Sequence, residues 1–207
     1  MSDVQENLEH AEHVEHAAHS NKKIALVIAI LALFLALSET LGKGAQTAAL
    51  SQNIQASDLW AFFQAKTIRQ TVLRTAAEFK AIELASLSDT AAKSAMEKQI
   101  DTWKKVIDRY ETDPESKEGR KELAARAQAT EHLRDLNFAK YDNYELASAA
   151  FQIGIVLASA SVITGMLALV YGAVGLGAIG LAFTGFGLFA PDALEHLQQM
   201  LEHLHGG

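Results

Sequence analysis

From Leu146 to Pro191 the chain runs 46 residues without an Asp, Glu, Lys or Arg. A helix at the surface of a water-soluble domain keeps one polar face, so a stretch this long with no charge excludes a simple soluble fold. A helix needs about 20 residues to cross about 30 Å of hydrocarbon, so the block holds two spans joined by a tight turn. They are expected at 146–170 and 172–190, with the turn within Gly165–Gly175. Eight of the 13 glycines fall in this block. Lipid offers no hydrophobic drive between helices, so small residues that admit close backbone contact take over, and Gly154/Ala158 and Gly177/Gly185 lie on such faces. Gly175-Leu-Gly-Ala-Ile-Gly180 matches G-x-G-x-x-G, but no strand precedes it and no acidic ribose ligand follows, so it reads as packing and no cofactor is expected. Pro191 cannot donate to a continuing helix and ends the last span.

A first apolar block runs from Ile24 to Leu37 and continues to Gly42. Its start is acidic and lies well before Lys22-Lys23, so it reads as an uncleaved anchor and not as a secretory leader. Lys22 and Lys23 outweigh Lys43 across this span, which favours an N-terminus inside and a middle segment outside. Glu39 is the one carboxylate at membrane depth, a position that invites a functional reading. In a ring of copies, Glu39 with Lys43 would line the mouth of an ion path. The alternative is an interfacial ion pair, since Lys43 stands four residues on.

Residues 43–145 balance 16 basic against 16 acidic side chains. Ala61, Ala65, Ile68, Val72, Ala76 and Phe79 recur at spacings of 3 and 4, the mark of one helical face. Ser88-Asp89 signals an N-cap for a second helix through about Tyr110, with Met96, Ile100, Trp103 and Ile107 apolar. Thr112-Asp-Pro-Glu-Ser116 is the strongest break. Ser116 is expected to cap a third helix, with Leu123, Ala127, Leu133 and Leu136 apolar, that runs uninterrupted into the second span. Trp60, Phe62 and Phe63 read as packing of this helical segment. Such narrow stripes are buried by antiparallel neighbours or by other copies, and symmetric homo-oligomers are the common outcome.

Both ends are acidic, and they account with Glu39 for the net charge of −7. His10, His13, His16 and His19 each follow a glutamate by four residues. Imidazole and carboxylate together suit a divalent metal or a pH switch. Yet a three-residue period drifts by about 60° per step, which spreads the four rings across half a helix. A polar leader helix is therefore the plainer reading. Leu194, Leu197, Leu201 and Leu204 mark a tail suited to lie on a membrane, with His203 and His205 at its end. The absence of cysteine excludes thiol chemistry and Cys-type zinc sites. An acidic balance argues against nucleic acid as a partner. No Ser–His–Asp spacing, H-E-x-x-H, P-loop or paired-carboxylate pocket occurs, so no enzyme is expected.

The run Asn53-Ile-Gln-Ala-Ser-Asp-Leu-Trp-Ala-Phe-Phe-Gln-Ala-Lys-Thr-Ile-Arg69 resembles the signature of bacterial membrane proteins grouped as domain of unknown function 4337. The acidic leader, the first span ending in Leu37-Ser38 and the paired C-terminal spans are similar too. The likeness covers nearly the whole chain, although the uncharged turn of Gly165–Tyr171 departs from the basic turn common in the family. The resemblance implies architecture and carries no mechanism. It does direct attention to Asp58, Trp60 and Lys66 as an inter-helix or inter-subunit polar contact.

The sequence thus reads as an all-α membrane protein with three transmembrane helices and a long helical extramembrane hairpin or stalk. Its parts are a leader (1–23), a first span (24–42), a helical extramembrane domain (43–145), two further spans (146–170 and 172–190) and a tail (191–207). The expected role is a homo-oligomeric structural assembly in the bacterial inner membrane, with an ion path or a metal-responsive accessory role as alternatives.

Overall fold

The computed structural model describes residues 2–193, with side chains from Lys22 onward. The described residues form four helices and no strand: α1 (Ser2–Ser86), α2 (Thr90–Glu111), α3 (Arg120–Thr164) and α4 (Leu167–Phe189). α1, α3 and α4 each contain a stretch long and apolar enough to cross a membrane. The chain divides into two compact units, one of Met1–Ala48 with Leu136–Gly207 and the other of Ala49–Asp135.

The first unit holds the three apolar stretches. Ile24, Leu31, Ser38 and Ala45, each seven residues apart, form a buried row of α1 here, with Gly42 buried beside it. α4 buries Ala173, Gly177, Gly180, Thr184 and Gly187 at spacings of 4, 3, 4 and 3. Both rows follow the period of 3.5 residues that keeps one seam facing a neighbouring helix. Large side chains enter where α4 has none. A Cβ on Gly177 would stand 2.7 Å from Leu31, one on Gly180 2.7–3.0 Å from the Phe151 ring, and one on Gly187 2.7–3.1 Å from the Tyr144 ring. Phe151 also stacks on Phe34 at 6.0 Å, so this α3 side chain touches both other helices. Of the expected packing positions Gly154, Ala158 and Gly177 are packed, Gly180 and Gly187 join them, and Gly185 does not, since a Cβ there meets nothing within 4 Å.

One polar link crosses this apolar unit. Thr184 Oγ1 donates to the Gly180 carbonyl at 2.9 Å, which leaves it to accept from Ser38 Oγ at 3.0 Å. Asn143 Nδ2 donates to the carbonyls of Ala139 and Pro191, at 2.8 and 3.1 Å, and so ties the start of the charge-free block to its end. α3 runs without a break from Arg120 into this block, as its sequence predicts. The turn to α4 falls on Gly165 and Met166, so Leu167–Val170 belong to the last helix and not to the middle one. Gly165 has φ +70°, the left-handed conformation that glycine adopts at helix ends without steric cost.

In the second unit the inner face of α1 is a different row from the expected one. Ala49, Ala56, Gln70 and Ala77 are buried, all at multiples of seven, whereas Ile68, Val72 and Phe79 lie on the exposed side. Small residues let α1 approach its neighbours closely, and close approach decides which face turns inward. On α2, Ile100 is buried with Met96, Trp103 and Ile107 half-buried, as their spacing predicts. Asp89 caps α2 by accepting from the Ala91 amide at 3.0 Å. On α3, Leu123, Ala127 and Thr130 are buried, while Leu133 is exposed. Ser116 does not cap α3. It accepts from the Glu118 amide inside the preceding turn, and the first α3 bond runs from the Leu123 amide to the Gly119 carbonyl. Asp113 organises that turn, accepting from the Ser116 amide and from Arg109 Nε, each at 3.3 Å.

Candidate functional site

Two acidic side chains mark the borders of the apolar blocks: Glu39 near the end of the first, and Glu145 just before Leu146. Helix α1 places Ser38, Glu39, Gly42, Lys43 and Gln46 along one wall of a cleft of about 410 Å³. Helix α3 supplies the other wall from Tyr141, Tyr144, Glu145, Ser148, Ala149 and Gln152. Gly42 is the close-approach point within the cleft, where a Cβ would stand 3.4 Å from Tyr144 and 3.9 Å from Tyr141.

Glu39 and Lys43 are four residues apart, yet they form no ion pair, and neither does Glu145 with Lys43. Three charges of net −1 therefore face one cavity with no ion pair to any described residue. Ser148 is only 8% exposed and lines the same cleft. Thr40, Thr47, Ser159 and Thr164 all return their hydroxyl proton to a carbonyl one turn back. Ser148 makes no hydrogen bond with any described residue. The sequence singled out Glu39 and Lys43 and missed Glu145, Ser148 and the two tyrosines. The available signal was Glu145 itself, the last charge before the 46-residue gap.

The residues singled out by resemblance serve the second unit. Trp60 Nε1 donates to Glu131 Oε1 at 3.0 Å, and its ring meets Phe63 edge-on at 5.5 Å. Lys66 reaches Glu118 at 3.7 Å, with its ammonium 5.2 Å from the Phe62 ring centre and 5.3 Å from that of Tyr110. Asp58 is exposed and pairs with neither of them, so within one chain Trp60 and Lys66 make the inter-helix contacts and Asp58 does not. One turn beyond Lys66, Gln70 anchors a network that sequence reading missed. Its Nε2 donates to the Ile107 carbonyl and to Glu111 Oε2, and its Oε1 accepts from Arg120 Nη1 at 2.6 Å. Arg120 also bonds Glu111 at 2.8 Å and Thr67 at 2.9 Å, and its guanidinium lies 5.0 Å from the Phe63 ring centre. The Gln70 hydrogen bond, then the Arg120 charge, hold the Glu111 carboxyl below the usual carboxylate range. A smaller cavity of about 230 Å³ opens beside Lys66, but its charges are paired off: Lys66 with Glu118 and Arg109 with Asp113.

The side chains of His10, His13, His16 and His19, and the whole of the tail from Leu194, lie outside the described residues. Among the described residues no three His, Asp or Glu side chains gather as metal ligands.

The family description "Domain of unknown function (DUF4337)" matches residues 20–190. The chain belongs to the DUF4337 family. The match takes in all three apolar stretches and the whole of the second unit. The bordering acids of the cleft, the Trp60–Lys66 motif and the Gln70–Arg120 network thus all lie inside the DUF4337 region. No curated protein and no solved structure matches the chain.

Proposed function

We propose that this DUF4337 chain is a multi-pass protein of the bacterial inner membrane, N-terminus inside, that self-associates through its second unit into a helical structural assembly. One observation carries the reading. On the outer face of α1, Ile68, Val72, Phe79 and Ile82 are 62–71% exposed, in a segment whose remaining surface is charged. Ile54, Ala61, Ile68 and Ile82 fall on one seven-residue register, with Thr75 between the last two, and Val72 and Phe79 on a neighbouring one, the two-row spacing of a seam that receives another helix. Contiguous exposed apolar surface of this kind marks an interaction site. A second copy is the occupant, because copies held in one membrane with one orientation meet at high effective concentration, and a coiled-coil contact between their α1 helices uses the same row twice. The test is the mass of the full chain in mild detergent. A wild-type oligomer that Ile68→Glu with Phe79→Glu reduces to a monomer is the expected result; a wild-type monomer overturns the reading.

The open cleft favours a second reading, a cation path with Glu39 at its mouth and Lys43 beside it. Planar-bilayer conductance altered by Glu39→Gln supports it, and conductance indifferent to that change removes it.

A further inference from the structure

We infer that the cleft between Glu39 and Glu145 binds the head group of an aminophospholipid, a primary ammonium joined to a phosphate diester. The inference rests on the membrane placement proposed above and not on self-association.

Position comes first. At about 1.5 Å per residue, Glu39 lies about 22 Å beyond Ile24 and Lys43 about 28 Å beyond it. Against about 30 Å of hydrocarbon, the cleft straddles the boundary where head groups sit. Its volume of about 410 Å³ falls in the range of ~300–1,000 Å³ typical of small-ligand sites.

Charge selects the ligand. Two carboxylates against one ammonium, none of them in an ion pair with a described residue, disfavour an anionic lipid and suit a zwitterion whose cation is the better-held end. A primary ammonium donates three hydrogen bonds, which Glu39 and Glu145 accept; a quaternary choline nitrogen donates none. Choline would need an aromatic cage, but the Tyr144 ring is buried against Gly187, which leaves Tyr141 alone. Lys43 is then placed for the phosphate.

Ser148 is the independent observation. It lies inside the charge-free block, 92% buried, and its hydroxyl, which makes no hydrogen bond with any described residue, opens onto the cleft. At hydrocarbon depth such a hydroxyl is costly unless something accepts from it. The phosphate and ester oxygens just below a seated ammonium are acceptors at that depth.

The experiment is native mass spectrometry of the full chain in mild detergent with phosphatidylethanolamine, phosphatidylcholine and phosphatidylglycerol of matched acyl chains. Phosphatidylethanolamine should be retained at least about fivefold over either competitor, the scale of one charge-assisted hydrogen bond. Glu39→Gln with Glu145→Gln should bring that ratio near one, and Ser148→Ala should lower it less, with circular dichroism unchanged in both. Equal retention of the three lipids by the wild type overturns the proposal, as does selectivity that survives the double variant. Soluble phosphoethanolamine bound without any lipid preference also overturns it, since the source is then not the membrane. Co-flotation with lipid vesicles is read in parallel. A chain that floats but shows no preference fails this proposal alone, and one that does not float fails the membrane reading as well.

Discussion

Gln70 is 3% exposed and still places both ends of its amide, bonding Ile107, Glu111 and Arg120. A polar residue so deep in a helical interface is tolerated only when its groups are satisfied, and removing one partner leaves the rest unpaired. Arg120→Met should therefore lower the stability of the second unit by about 1–3 kcal/mol, read as the shift in a urea or thermal unfolding midpoint. Pairing it with Gln70→Met should cost less than the sum of the two single changes, because the second substitution removes a group already orphaned. The same network predicts a pH dependence. The folded carboxyl of Glu111 titrates below its unfolded value, so its contribution is complete above about pH 4.3 and is lost as the pH falls through the lower folded value. Thermal midpoints followed from pH 7 to pH 3 should fall less steeply in Glu111→Gln than in the wild type. Sequence reading passed over Gln70 because a glutamine on a helix reads as surface. Only its three partners, from 37 to 50 residues away, make it a core residue.

At the scale of the element, α1 shows why a face can be found and still be assigned the wrong side. Two rows recur along it with nearly the same period. One holds Ile68, Val72 and Phe79; the other holds Ala49, Ala56, Gln70 and Ala77. Apolarity alone ranks the first row as core, but interhelical distance is shortest where side chains are small, and the second row turned inward. α4 follows the same logic in a region with no charge to mislead. Gly180→Val should destabilise the apolar unit, because its Cβ would stand within 2.7–3.0 Å of the Phe151 ring, while Gly175→Val, with nothing within 4 Å, should cost far less. Thermal unfolding of the two variants in detergent, compared side by side, checks this. The element boundaries were the more legible part. Asp89 caps α2 as its sequence predicts, and Asp89→Ala should cost about 0.5–2 kcal/mol in unfolding experiments. The Ser116 cap was misplaced because Asp113, Ser116 and Glu122 all offer side-chain acceptors within one turn, and only the folded turn decides which amide each one takes.

For the whole molecule, the three apolar stretches were legible in the distribution of charge, and the unbroken α3 in the absence of a helix breaker ahead of the charge-free block. The cleft was not, since its walls come from residues about 100 positions apart and only the folded packing of α1 on α3 brings them together. The connection of α3 to α4 has a consequence for biogenesis. Two uncharged residues, Gly165 and Met166, are all that separates the last two helices. No hydrophilic loop has to be carried through the bilayer, and nearly every backbone group is satisfied within a helix before entry. Such a pair is suited to enter a bilayer together as a preformed hairpin, with Glu145 and Asp192 flanking its open end and no charge at its tip.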